Sequence, residues 1–141
     1  MKKKYLIVVA DYYKDITIGL IKSALKKIPP KNIIKIIKVP GAFEIPVTIS
    51  KNLKKYDGFL ALGCVIKGNT PHFNLICNAT FNAILELSIS HNKPITNGII
   101  TAFNLKQAKE RCGLIRSNKP NKGVEAARAL VCILNNGTKK I

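Results

Sequence analysis

Residues 57–66 read DGFLALGCVI, and after the aspartate nine positions pass without a polar side chain. An amphipathic helix would show a polar residue every third or fourth place, and a strand with one wet face every second. A strand covered on both faces needs neither, and parallel sheets bury their strands in that way. The stretch therefore predicts a central strand. KYLIVVA (4–10) has the same character. NIIKIIKV (32–39), ended by Pro40-Gly41, and ITNGIIT (95–101), weakened in the middle by Gly98, complete a set of four.

Helical patterns fill the intervals. Asp15 is placed to cap a helix running to about Lys27, with Ile21, Ala24, Leu25 and Ile28 facing inward, and Pro29-Pro30 stops it. A helix is expected from Glu44 to about Lys54, with Pro46 tolerated only in its first turn. Another should run from Phe73 to Ser90. Asn104 is suited to cap LKQAKERC (105–112), and VEAARALVCILNN (124–136) should end at Gly137. Strands alternating with helices imply right-handed crossovers and a parallel sheet with helices on both faces. The expected architecture is an α/β fold, a three-layer α/β/α sandwich on a four-stranded parallel sheet, in one domain spanning 1–141.

Open parallel sheets bind ligands beyond the carboxyl ends of their strands. The stretch KGNTPH (67–72) lies at such an end. Gly68 permits a sharp turn, Thr70 is a natural helix cap, and Pro71 suits the first helical position. Free N–H groups at that helix start, together with Lys67, make an anion pocket that suits a phosphate. His72 sits in the same turn, and an imidazole exchanges protons near neutrality. His91, in SISHNKP, reads instead as a helix-end residue. Tyr12 and Tyr13 end a buried strand, where one ring can stack on a planar ligand. Glu44, after Gly41-Ala42-Phe43, suits a helix start as well as it suits a ligand. From spacing alone, Arg111 is an ordinary helical surface residue.

Composition excludes several classes. The hydrophobic fraction of 47% argues for a packed globule. No apolar run reaches membrane-spanning length. The start MKKKYLIVVADYY carries a basic stub and a short apolar run, but Asp11 interrupts it and no small-residue cleavage site follows, so a cytoplasmic protein is expected. Cys64, Cys77, Cys112 and Cys132 lie far apart and read as small buried hydrophobes, with neither disulfide nor metal expected. The net charge of +17 comes from 21 lysines and 3 arginines spread along a chain rich in Ile and Asn. Those three residue types share A- and T-rich codons. Without an aromatic-interleaved basic stripe, the charge reads as compositional drift rather than nucleic-acid binding.

VPGAFEIP (39–46), LGCVIKGNTPHF (62–73), QAKERCG (107–113) and NKGVEAA (121–127), in this order, resemble the 6,7-dimethyl-8-ribityllumazine synthase family over nearly the whole chain. The resemblance implies a flavodoxin-like fold and a cofactor-free transferase of riboflavin biosynthesis. Its reaction joins 5-amino-6-ribitylaminouracil to 3,4-dihydroxy-2-butanone 4-phosphate. By motif, Tyr12 stands where the family stacks a phenylalanine on the pyrimidine. Ala42, Phe43 and Glu44 hold the ribityl chain and pyrimidine, and Cys64, Val65 and Ile66 present backbone groups to the same ligand. Asn69, Thr70 and Arg111 bind phosphate, His72 transfers protons, and Lys122 assists near the ring. Partners implied are the small-molecule substrates, a homopentamer with active sites between subunits, and riboflavin synthase as functional partner. No nucleic acid and no membrane are implied.

Departures from the family pattern concentrate at contacts. Asn97 replaces a phenylalanine that closes the pyrimidine pocket from a neighbouring subunit, and Lys67 replaces an arginine. Asn74-Leu75 stand for an acidic–aromatic pair and Ala79 for a glutamate. The longer segment before NKG and the short start, without the extension that pairs with a neighbour, favour free pentamers over larger shells. The alternative function is a non-catalytic flavin- or lumazine-binding relative, which could dispense with His72 and Arg111.

Overall fold

The computed structural model describes residues 2–136. Four strands, β1 (Lys4–Ala10), β2 (Ile33–Val39), β3 (Gly58–Ile66) and β4 (Ile95–Ala102), form one sheet in the order β2-β1-β3-β4. All neighbours are parallel. The helices are α1 (Lys14–Leu25), α2 (Ile45–Ser50), α3 (His72–Ser90), α4 (Leu105–Glu110) and α5 (Lys122–Asn136), with a 3-10 turn at Ala42–Glu44 leading into α2. This is the expected α/β sandwich, and its strand order is that of flavodoxin-like folds.

Alternation along the central strands builds a core on each face. Tyr5, Ile7 and Val9 of β1, with Leu60 and Leu62 of β3, pack against Ile16, Leu20 and Ala24 of α1 and Ala127 and Leu130 of α5. Leu6 and Val8, with Phe59 and Ala61, face the other way toward Ile45 and Ile49 of α2 and Ile84 of α3. Both faces are covered, which is why neither strand tolerates a polar position. β2 lies at an edge, and its Ile33, Lys35, Ile36 and Lys38 are exposed.

Several local expectations are corrected. The N-cap of α1 is Tyr13, without a side-chain cap, and Asp15 falls in the first turn. The buried stripe of that helix is Ile16, Leu20 and Ala24, joined by Ile28 beyond its end, while Leu25 is 37% exposed. Ile21 is only partly buried against the same core. The helix expected over 44–54 is shortened to Ile45–Ser50: a 3-10 turn takes its start, and beyond Ser50 the chain passes into turns closed by Asn52 N to Ile49 O and Lys55 N to Asn52 O. Pro71, not Thr70, occupies the N-cap of α3. Asn104 does cap α4, accepting from Gln107 N at 2.9 Å. His91 ends α3 as expected, its N–H bonded to Leu87 O at 3.1 Å. Three cysteines are buried but Cys132 is exposed. The expected stop at Gly137 lies outside the described residues. Among the described residues no helix is long and apolar enough to cross a membrane.

Two glycines let neighbouring segments approach α1 closely, Gly123 for α5 and Gly19 for the segment just after α4. A Cβ on Gly123 would sit 2.6 Å from Leu20 O, and one on Gly19 would sit 2.6 Å from Cys112 O. Backbone oxygens cannot step aside as a flexible side chain can. Alanine at a helical glycine ordinarily gains up to about 1 kcal/mol from propensity. Here the clash reverses the sign: Gly123→Ala is expected to destabilise the fold by about 1–3 kcal/mol, as overpacking does. A lower thermal midpoint than wild type at equal protein concentration checks this, and a rise would refute the packing account.

Candidate active site

β1 and β3 run in register from Tyr5↔Gly58 to Val9↔Leu62. β1 then stops at Ala10, while β3 continues to Ile66 paired only with β4. The connections from β1 and β3 leave in opposite directions along the sheet, so a crevice opens between their ends, the switch point where such folds place ligands. Thr17 fixes one wall. Its hydroxyl donates to Ala10 O at 3.0 Å and its N–H to Tyr13 O at 2.9 Å, which holds the start of α1 against the end of β1.

The crevice is a pocket of about 300 Å³ walled by Tyr12 and Tyr13, by Gly41 and Ala42, by Cys64–Ile66 at the end of β3, and by His72 and Ile76 on α3. The structure thus brings together Tyr12, Ala42, Cys64, Val65, Ile66 and His72 from four separate stretches of sequence. Tyr12 is 71% exposed and meets Tyr13 edge-on, with ring centroids 4.9 Å apart. Tyr13 is partly buried against the core, so the exposed ring is braced by one that is itself held. Tyr13, offered by the sequence only as an alternative to Tyr12 for stacking, belongs to the pocket, and so does Ile76, which was assigned no part. Ile76 could have been found from its spacing, because it follows His72 by one helical turn and faces the same way.

The loop before α3 is exposed from Lys67 to His72. Thr70 Oγ1 accepts from His72 N at 3.4 Å, one residue ahead of the position expected of a cap. Asn69 and Thr70 therefore stand beside the open first turn of a 19-residue helix, where backbone N–H groups and the helix dipole favour an anion. Lys67 lies with its Nζ 5.4 Å from the centroid of Phe103.

Five expected site residues fall elsewhere. Phe43 and Glu44 line a neighbouring groove with Ala79 and Thr80 of α3. Phe43 is 60% exposed. Arg111 opens onto a pocket of about 440 Å³ on the opposite flank of α3, with Phe73, Asn74, Phe103 and Gln107. Its Nη1 donates to Gln107 O at 3.0 Å and lies 3.8 Å from Glu110 Oε1. Gln107, which sequence reasoning passed over, also accepts from Phe103 N at 2.8 Å and so ties the arginine to the end of β4. Asn97 and Lys122 share a third hollow with Glu125, to which Lys122 pairs at 3.6 Å. Asn97 Oδ1 is engaged by Ile99 N at 2.9 Å. Among the described residues no group of three or more His, Cys, Asp or Glu side chains gathers in a metal-binding cluster.

A pocket at the switch point of a parallel sheet, with an anion-binding helix start on its rim and exposed aromatics beside it, defines a small-molecule-binding α/β protein. Its unsheltered rings and dispersed polar residues are those of a pocket open on one side. Residues 2–137 match the model of the family described as 6,7-dimethyl-8-ribityllumazine synthase. A 6,7-dimethyl-8-ribityllumazine synthase of Limosilactobacillus reuteri is 43% identical over 80% of this chain and 77% of its own. One of Bartonella tribocorum is 39% identical over 95% of this chain and 91% of its own. One of Buchnera aphidicola is 39% identical over 95% and 89%. The chain belongs to the 6,7-dimethyl-8-ribityllumazine synthase family, a family of transferases in riboflavin biosynthesis.

Cys64 is the one thiol in the pocket, and burial, with the nearby Cys112 and Cys77, pushes its pKa up to about 12. It is protonated across the whole neutral range and is no nucleophile there. Cys64 is therefore expected to resist iodoacetamide in the folded protein at pH 8.5, a condition in which an ordinary thiol is half ionised. Peptide mapping after a timed quench checks this. Labelling of Cys64 as fast as of a model thiol would show a thiolate and an ionised pocket.

Proposed function

We propose that the chain, folded as one domain, is a 6,7-dimethyl-8-ribityllumazine synthase that condenses 5-amino-6-ribitylaminouracil with 3,4-dihydroxy-2-butanone 4-phosphate. The observation that carries this reading is the meeting of the Tyr12 ring, the Cys64–Ile66 strand end and His72 in one crevice beside the Asn69–Thr70 helix start. Together they offer a stacking face, backbone groups and an anion site around one titratable side chain.

Each part has a task. Tyr12 stacks on the pyrimidine, and the backbone of Cys64, Val65 and Ile66 reads its polar edge. Ala42, Phe43 and Glu44 hold the ribityl chain. Asn69, Thr70 and Arg111 hold the phosphate of the second substrate, with the arginine's planar fork matching its oxygens. The pyrimidine amine attacks the ketone, and loss of water gives a Schiff base. Loss of a proton from the adjacent hydroxyl-bearing carbon then expels phosphate and leaves an enol, which tautomerises to a new carbonyl. Attack of the ribitylamino nitrogen on that carbonyl closes the ring and releases a second water. Every step is a proton movement or a departure from a positioned carbon, so orientation and one proton carrier, His72, supply the catalysis. Lys122 assists near the ring.

Arg111, Asn97 and Lys122 do not line the crevice that holds His72. The reading that unites them is a homopentamer in which one chain supplies the crevice and its neighbour supplies these residues. A symmetric ring of head-to-tail contacts would produce such shared sites. Asn97 replaces a closing aromatic ring, and its loss weakens stacking by roughly 0.5–1.5 kcal/mol. A cytoplasmic enzyme handing its product to riboflavin synthase is the accompanying expectation.

Steady-state assays following lumazine absorbance test the roles. Arg111→Ala should raise KM for the butanone phosphate at least tenfold more than KM for the pyrimidine, as loss of a charge-assisted pair of hydrogen bonds would. Equal effects on both substrates would contradict a phosphate role. His72→Ala should lower kcat by about 10²-fold, the lower range for a general acid–base, with little change in pyrimidine affinity. Pyrimidine binding lost in parallel with turnover would make the histidine a binding or structural residue.

A further inference from the structure

Lysines occur at both ends of the fold, with Lys14, Lys67, Lys106, Lys119 and Lys122 among those toward the crevice, but at the other end ten of them gather with little acid to offset them. Connections entering the strands all lie at one end of the sheet, opposite the crevice. The segment entering β1 brings Lys2, Lys3 and Lys4, and the α1–β2 connection brings Lys26, Lys27 and Lys31. The α2–β3 connection adds Lys51, Lys54 and Lys55, and Lys93 precedes β4. Hydrogen bonds lock these connections together: Lys3 N to Asn32 Oδ1 at 3.0 Å, Lys4 N to Asp57 Oδ2 at 2.8 Å, and Lys93 Nζ to Tyr56 O at 2.9 Å. All but Lys3 and Lys93 are exposed.

Carboxylates do not follow. Asp11, Asp15, Glu44, Glu110 and Glu125 lie in the half of the molecule that carries the crevice, and Glu86 stands a turn above the end of α3. Only Asp57 sits among the lysines, and its carboxylate is engaged by the Lys4 amide. Compositional drift accounts for many lysines; it does not account for the scarcity of acids at one pole. Like charges held this close repel one another, and a polyanion relieves that repulsion.

We propose that this lysine pole is a docking surface for the phosphate backbone of a nucleic-acid duplex, bound without regard to sequence. The surface has the chemistry for phosphates and little else. It has no arginine for bidentate base contacts, and its one aromatic ring, Tyr56, is half-buried, so neither base-edge reading nor base stacking is served. A protein partner would meet a face poor in the aromatic and arginine anchors that stabilise interfaces. A lipid surface would call for an amphipathic helix or exposed aromatics beside the lysines, and these connections supply neither. The proposal departs from the expectation, formed on the sequence alone, that nucleic acid is no partner. It stands apart from the condensation assigned to the crevice.

The test is fluorescence anisotropy of an RNA duplex of about 16 base pairs, titrated with the full chain between 50 and 200 mM salt. With about six phosphates neutralised, affinity should fall roughly 10³-fold across that range. Lys26, Lys27, Lys54 and Lys55 changed together to Gln should weaken binding at least tenfold and flatten the slope of log K against log salt by about 3–4. Changing Lys14, Lys106, Arg116 and Lys119 to Gln removes the same charge from the crevice half and should leave affinity within about twofold, because contact with phosphates is local to the pole. Both variants should fold and form lumazine at the wild-type rate. Equal losses in the two variants would overturn the proposal, because net charge alone would then be acting. No binding at 50 mM salt would overturn it too, as would binding to phosphatidylserine vesicles in preference to the duplex.

Discussion

Everything in this protein depends on the parallel pairing of β1 with β3 and on the point where it ends. The two strands share a register fixed by burial on both faces, since a slip of one residue would turn Leu6 and Val8 into the core meant for Ile7 and Val9. Because β1 stops at Ala10 while β3 runs on to Ile66, the sheet parts there. Gly63 sits at the parting, where a Cβ would lie 3.0 Å from that of Ala10, so the strands stay close up to the last residue before the crevice. The same geometry separates the molecule into two ends with different chemistry. Segments leaving the strands carry the Tyr12 and Phe43 rings, His72 and most of the acids; those entering them carry lysines with little acid beside them.

The crevice of one chain is incomplete in a way that has a physical meaning. Tyr12, Phe43 and Phe103 are all more than half exposed, a cost that a folded chain relieves by covering them. Arg111 is braced by Gln107 on the far flank of α3, and Lys122 and Asn97 face a separate hollow. An anion site and a proton carrier on one surface, with an arginine on another, make chemical sense when surfaces of successive copies meet. On this view the substitutions of Asn97 and Ala79 are changes at a contact between chains, and they act on assembly as well as on the ligand.

Much of this was legible in the residues. Uninterrupted apolar runs identified β1 and β3 because burial on both faces leaves no room for another pattern. KGNTPH announced its turn because glycine, threonine and proline each have a local conformational reason to be there, although the cap proved to be Pro71. Thr70 instead supports the turn through a weak bond to the His72 amide. What could not be read depends on three-dimensional proximity. The inward stripe of α1 shifted to Ile16, Leu20 and Ala24 because α5 packs against it through Gly123, a contact more than a hundred residues away in sequence. Tyr13 and Gln107 matter through what they brace, and no local pattern marks a brace. The charge asymmetry was hidden in one dimension because the topology, not the sequence, sends most of the acids to one end while lysines fall at both.

The most direct test of the central claim is to mix two defective chains. His72→Ala and Arg111→Ala, each nearly inactive alone, would be unfolded together in equal amounts, refolded and assayed for lumazine formation. If one chain supplies the crevice and its neighbour the arginine, about a quarter of the sites in randomly mixed rings will be intact, and activity will return to roughly that fraction of wild type. A mixture no more active than the two variants measured separately, though shown to co-assemble, would place both residues in a site within one chain and contradict the account.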